Sequence, residues 1–344
     1  MRKSSCLLLV LLATSASAQT QIHGFIDGYY AWNPNQPADH QNFVPGTGTT
    51  AARANEFEIN LAALTFDRDP KPLGFHLAVV AGNGIDVVHA SDPARETFRF
   101  IYQASVAYQA TNKLTLEGGI YPSHIGFEGF YSKDNWNYTR GWLGEFSPYY
   151  QAGVKATYAF NDKWSAQVHV LNGWQNIGEN NDAKAVGTQL AYNGSRLSAA
   201  FNTFAGAELP NDNTHLRLFG DWWASYKATS KFLIAASVDR GRQDLPADAS
   251  ANWLGVSLWG RYAFDDRHVV AARVDRFRDP DNAISGARQT IGSATLSYEF
   301  HPVANLNLKT EVRRDHSTAA VFSESHDALS KSETLLIAGV VATF

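Results

Sequence analysis

From residue 22 to the end, the chain alternates apolar and polar residues in short runs. In 305–313, Leu306, Leu308 and Val312 form one set, and Asn307, Lys309, Glu311 and Arg313 the other. In 150–160, Tyr150, Val154, Tyr158 and Phe160 oppose Gln151, Lys155 and Thr157. In 215–227, Leu216, Leu218, Trp222 and Tyr226 oppose His215, Arg217, Asp221 and Lys227. A period of two marks strands with unlike faces. The runs predict sixteen strands: 22–32, 56–66, 73–82, 98–109, 113–121, 148–160, 163–174, 184–193, 195–206, 214–227, 230–240, 251–264, 266–278, 288–300, 304–315 and 333–344. The least regular are 184–193 and 195–206, and the expected range is fourteen to eighteen strands.

A soluble sandwich also alternates, so two further features decide the class. Aromatics gather at strand ends on the apolar face: Tyr108, Tyr158, Phe160, Trp164, Tyr192, Tyr226, Tyr262, Phe264, Tyr298 and Phe300. Rings at both edges of an apolar band are the girdles of a membrane barrel. Connections also alternate in length. Short ones such as 161–163 and 265–266 lie between long ones at 33–55, 83–97, 122–147, 175–183, 207–213, 241–250, 279–287 and 316–332. The expected fold is therefore all-β, a transmembrane antiparallel up-and-down barrel. The longest apolar run of the barrel region, Leu335–Ala342, is far short of the ~20 residues of a membrane helix.

The alternation stops between 122 and 147. There Glu128, Asp134, Trp136, Tyr138, Arg140, Trp142 and Glu145 mix aromatic rings with both charges. Long connections of this kind are usually functional. The segment is expected to fold into the bore and narrow it; the alternative is a loop packed over the rim.

With the apolar set on lipid, the polar set lines the lumen: Glu58, Arg99, Glu117, Lys155, Arg217, Asp221, Asp239, Arg261, Arg273, Asp275, Lys309, Glu311 and Arg313, with Asp27, Glu56, His169 and Lys227. Roughly sixteen strands leave a water channel, so a wet lumen is expected; a lumen jammed by salt bridges is the alternative. Glu128, Asp134 and Glu145 would face Arg261, Arg273 and Arg313 across the narrowest point and set up a transverse field. Trp136, Tyr138 and Trp142, with Trp223 and Trp259, would form an apolar slide for solutes; the alternative is that they pin the loop to the wall.

At the N-terminus, Arg2 and Lys3 precede the apolar 6–12 and the small Ala16-Ser17-Ala18. This reads as a secretory signal peptide, 1–18, cleaved to leave a single barrel domain, 19–344. Cys6 leaves with it, so disulfides and thiolate metal sites are excluded. Without Arg2 and Lys3, 27 basic residues stand against 33 acidic, which disfavours nucleic acid as a partner. The eleven His share no ligand spacing, and no nucleophile elbow, zinc-protease helix or phosphate loop appears. No metal, cofactor or enzymatic activity is expected.

The terminal Gly339-Val-Val-Ala-Thr-Phe344 resembles the end of Gram-negative outer-membrane porins. Gly119-Ile-Tyr-Pro-Ser-His-Ile-Gly126 with Glu128, and Ser147-Pro148 through Gly153-Val154 to Val170-Leu-Asn-Gly-Trp174, are similar to the OmpL-like group of β-barrel porins. The resemblance implies an outer-membrane location, with Phe344 and its strand read by the barrel-assembly machinery. It also implies contact with outer-membrane lipid and the homotrimer common among porins of this strand number. The function expected is passive diffusion of small hydrophilic solutes or ions. The alternative is a solute-specific channel for sugars or small anions with an aromatic and Arg-lined site; a barrel enzyme, such as a lipase or protease, and a structural barrel remain further alternatives.

Overall fold

A computed structural model describes residues 19–344; the signal peptide expected at 1–18 lies outside the described residues. The strands are β1 (Gln21–Trp32), β2 (Phe57–Arg68), β3 (Leu73–Ala81), β4 (Ile101–Gln109), β5 (Leu114–Pro122), β6 (Tyr150–Ala159), β7 (Trp164–Leu171), β8 (Ala185–Asn193) and β9 (Leu197–Ala207). There follow β10 (Leu216–Lys227), β11 (Phe232–Leu245), β12 (Ala249–Ala263), β13 (His268–Asp279), β14 (Gln289–Val303) and β15 (Leu306–Ser317). β16 (Phe322–Ser323) and β17 (Leu329–Ser330) form a small hairpin in the last loop, and β18 (Ser332–Thr343) closes the ring against β1. Among the described residues sixteen strands make one closed antiparallel barrel, as the alternation predicts.

β13 shows why. Val269, Ala271, Arg273, Asp275, Phe277 and Asp279 are buried inward, while Ala272, Val274, Arg276 and Arg278 point out. Ile26, Val154, Leu258, Val274, Leu296, Val312 and Val340 are exposed, forming the outward apolar band. Such a surface is stable only against lipid. The aromatic residues form one girdle rather than two. Tyr108, Tyr158, Phe160, Trp164, Tyr226, Tyr262, Phe264 and Tyr298 all lie at the short-turn end, with Tyr158 and Phe160 5.2 Å apart and Trp164 and Tyr192 4.9 Å apart. At the loop end the exposed rings are few, among them Trp32, Phe57 and Phe100.

Two strand boundaries differ in substance. The long connection expected at 241–250 is mostly ladder: Leu245 pairs with Ala249, because alternation continues through Arg242, Gln243 and Asp244. Arg99, expected in the lumen wall, follows the helical turn α2 (Arg95–Phe98). It is exposed and pairs with Asp86 at 3.0 Å, in a loop that also carries α1 (Asn83–Val88). The run Arg95-Glu-Thr-Phe-Arg99 puts charge at both phases, so it has no face to give the lumen or lipid.

Candidate pore constriction

Residues 123–149 join β5 to β6 and carry a 3-10 turn at Ser132–Asp134 and α3 (Trp142–Glu145). Their hydrogen bonds run to inward side chains around the ring. Tyr138 donates its hydroxyl to Asp27 of β1 at 2.6 Å and its N–H to Glu311 of β15 at 2.7 Å. Thr139 also bonds Glu311. Asn137 donates to Ser297 of β14 at 2.7 Å, and the Trp142 indole donates to Asp315 of β15 at 2.8 Å. Gly126 N–H donates to Asp221 of β10 at 2.9 Å, and Ser147 donates to Asp239 of β11 at 3.2 Å.

Several charges in this zone close off in pairs, while Asp27, Asp221, Asp239 and Glu311 are met by hydrogen-bond donors instead. Arg273 holds Glu128 at 2.9 Å and Asp275 at 3.0 Å, Arg313 holds Asp315 at 2.8 Å, and Lys309 holds Glu299 at 2.8 Å. Arg140, fully buried, sits 3.7 Å from Glu145 and 4.6 Å over the Tyr149 ring, and donates to Gly129 O, Phe130 O and Thr49. Unpaired charges at such depth would each cost roughly several kcal/mol, so pairing wins over display. This corrects the expectation of a transverse field. Glu128 touches its arginine rather than facing it across water. Glu145 accepts from Gly48 and Thr49 of the 33–56 loop. Asp134 is exposed beside Lys133, and Arg261 lies 4.0 Å from Glu299.

The segment covers one part of the polar wall and leaves another open. Asp27, Asp221, Asp239, Lys309, Glu311 and Arg313 are all buried. Open polar wall remains on β5–β8, where Glu117 and Lys155 pair at 2.9 Å and Thr157, Gln167 and Gln189 are half-buried. Glu58 keeps its expected inward place beside Tyr29 on β2.

The aromatic slide divides in two. Trp136, Trp223 and Trp259 do converge, all on Phe127, at 5.4, 5.6 and 5.0 Å. Tyr138 and Trp142 are fully buried and pin the segment, Trp142 stacking on Phe146 at 5.7 Å beneath Arg313. Sequence reasoning missed Asp315, two residues beyond Arg313 in the same phase, and Glu299 and Glu333, which stand opposite Lys309 and Asp315 on strands where no lumen residue was assigned. It also missed that 33–56 packs onto the lumen segment, Phe43 meeting Trp142 edge-on at 6.3 Å and Thr49 donating to Glu145 at 2.8 Å.

On the loop side lies a vestibule of about 560 Å³, bordered by Glu145, Tyr149, Trp174, Glu208 and Arg217. The Arg217 guanidinium lies 5.4 Å from the Trp174 ring and 5.9 Å from Trp253, and its Nε donates to Gln243 at 3.1 Å. Glu208 accepts from Trp174 N–H at 3.0 Å; burial pushes its carboxyl up to about 7, with the Arg217 charge opposing the shift.

The family model described as "Putative beta-barrel porin-2, OmpL-like" matches residues 19–344. The chain belongs to this OmpL-like porin family. Among solved structures, the porin is similar to the outer-membrane channel DcaP of Acinetobacter baumannii, at 13% identity and TM-score 0.64 over 98% of this chain and 100% of that one. It is also similar to an anion-selective porin from Comamonas acidovorans, at 13% identity and TM-score 0.63, covering 95% and 100%. The trimer form of OmpT from Vibrio cholerae matches at 11% identity and TM-score 0.61, covering 95% and 100%. At these identities the likeness is one of fold. A comparison with curated proteins gives no match. Family and barrel together place the chain in the outer membrane as a porin-like channel.

Proposed function

We propose that this porin passes small hydrophilic solutes by passive diffusion through a bore that residues 123–149 narrow. The observation that carries this is the segment's attachment to separated parts of the wall, Tyr138 to Asp27 on β1 and Gly126 to Asp221 on β10. The route runs from the vestibule to the polar wall of β5–β8, past Phe127 and Trp136. A non-catalytic role follows from family and fold. Residues 1–18 direct export, and exposed Phe344, whose backbone pairs with Gly24, is the terminus that the assembly machinery reads. The apolar band takes lipid, and the trimer form of the Vibrio cholerae neighbour supports a homotrimer here.

A second reading, a channel preferring small anions, is favoured by Arg217. It faces the vestibule near the Trp174 and Trp253 indoles, with no carboxylate within ion-pair distance among the described residues. The Comamonas neighbour is described as anion-selective, which supports the same reading.

Planar-bilayer recording of the refolded chain tests both. Small ohmic steps are expected, growing when residues 129–135 are replaced by a short Gly/Ser link. A folded, heat-modifiable barrel without conductance overturns the channel. A reversal potential left unchanged by Arg217→Gln overturns the anion preference alone.

A further inference from the structure

The wall is not equally tall all round. β11 to β15 run for 14, 15, 12, 15 and 12 residues. β3 to β8 have only 9, 9, 9, 10, 8 and 9. About 10 residues cross the hydrocarbon layer, so the tall side stands above it at the loop end. There the outward positions change character. Arg240 and Arg242 on β11, Arg276 and Arg278 on β13, and Arg314 and His316 on β15 all point away from the lumen and are exposed. On strands outside β11 to β15 the matching loop-end positions are apolar: Val170 and Val186 on the short side, and Leu216, Leu218 and Phe57 on β10 and β2.

Register ties the basic residues together. Arg240 and Arg278 both pair with Leu254, so they stand at one level on either side of it. Arg276 and His316 both pair with Gly292, which leaves a gap between them. That gap is a groove of about 430 Å³ on the outer wall, bordered by Arg276, Thr290, Ala294, Arg314 and His316. Arg242 is matched by Asp244 at 2.8 Å, and Arg314 donates to the hydroxyls of Thr334 and Ser332. Arg240, Arg276 and Arg278 have no carboxylate at ion-pair distance among the described residues. Directly below lie Val274, Leu296 and Val312 of the apolar band.

We propose that this outer face binds a phosphorylated glycolipid of the outer leaflet, with its phosphates on the arginines and its acyl chains on the band beneath. Guanidinium meets phosphate in bidentate, charge-assisted bonds. Arginines two strands apart stand about 10 Å from each other. Five exposed arginines on β11, β13 and β15 offer more donors than the single phosphate of a glycerophospholipid can fill, and match a headgroup with two separated phosphates. The site faces lipid, not the lumen, so it is independent of what the pore carries.

Native mass spectrometry of the refolded full chain in detergent tests the proposal. The probes are a bisphosphorylated hexa-acyl glycolipid, its dephosphorylated counterpart and phosphatidylglycerol. The first is expected to bind tightest. Combined Arg276→Gln, Arg278→Gln and Arg314→Gln should weaken it on the order of a hundredfold, from about fivefold per arginine, while single-channel conductance stays as in the wild type. Gly292→Leu fills the groove without touching a charge and should weaken binding as well. Equal affinity for the dephosphorylated lipid or for phosphatidylglycerol overturns the proposal. So does undiminished binding by the triple variant or, should that fail to fold, by Gly292→Leu.

Discussion

Asp221 and Asp239 stand directly opposite each other in the β10–β11 ladder and hold opposite ends of the same lumen segment. Asp221 accepts from Gly126 N–H and Asp239 from the Ser147 hydroxyl, so residues 126 and 147 are brought to neighbouring strands. Like charges facing each other weaken a sheet. Here Asn202 at 2.5 Å and Ser237 at 3.2 Å supply further donors to Asp221. The pair therefore acts as a latch that closes the segment into a loop within the barrel.

Asp221→Ala should open one side of that latch. The lost hydrogen bonds are partly offset by relief of repulsion on Asp239, so the net stability loss should be small, about 1 kcal/mol. The freed Gly126 end should show instead in the current. Single-channel records are expected to become noisier with a larger mean conductance. Records indistinguishable from wild type would mean that the latch does not hold the segment.

Arg273 is the opposite case. Among the described residues it is the ion-pair partner of both Glu128 and Asp275, all three side chains being essentially buried. Arg273→Met should cost about 3–5 kcal/mol, since two acids lose their partner. Adding Glu128→Gln should recover part of it, with a coupling of about 1–3 kcal/mol between contacting sites. Urea unfolding followed by heat-modifiability reads both values; additive losses would show that the pair is not coupled.

The barrel was legible because its two environments differ so sharply. Along β15, Lys309, Glu311 and Arg313 could be assigned inward from phase alone, and the same phase carried on to Asp315. Arg99 escaped because no phase exists in a helical turn. What the chain order hides is the cross-barrel pairing. Tyr138 and Asp27 lie 111 residues apart, and nothing local marks either as the other's partner. The segment's composition announced a packed loop, but the partner of each charge depends on which wall it meets. Burial forces each charge in the zone to find either an opposite charge, as Arg273 does, or a set of N–H and O–H donors, as Asp27 and Asp221 do, and sequence alone could not match these up.

Glu208 should make the vestibule sensitive to pH. Burial raises its carboxyl to about 7, so below that pH it is neutral and the Arg217 charge stands alone. Anion preference should fall as pH rises through about 7, and Glu208→Gln should remove that step. The stability sign follows from proton binding. Between about 4.5 and 7 the folded chain keeps a proton that the unfolded chain has lost, so this group's contribution to stability declines as pH rises through that window. Reversal potentials across a salt gradient from pH 5 to 9 read the first effect. A flat profile in the parent chain would rule the group out.

Gly339 explains part of the last strand in physical terms. It points inward on β18, and a Cβ built there would lie 2.8 Å from Cε2 of Tyr138. The ring therefore rests against bare backbone, which lets its hydroxyl reach Asp27 and its N–H reach Glu311. Gly339→Ala must push a fully buried ring that has no room to turn. Overpacking of this kind costs about 1–3 kcal/mol, and losing the bond to buried Asp27 adds a similar amount, about 1–3 kcal/mol. Tyr138→Phe removes only the hydroxyl and should cost the second part alone. Gly339→Ala is thus expected to be the more damaging of the two, and in a Tyr138→Ala background it should become nearly harmless. Unfolding midpoints of the four proteins test this; a Gly339→Ala loss that persists without the ring would place the glycine's role in strand geometry instead.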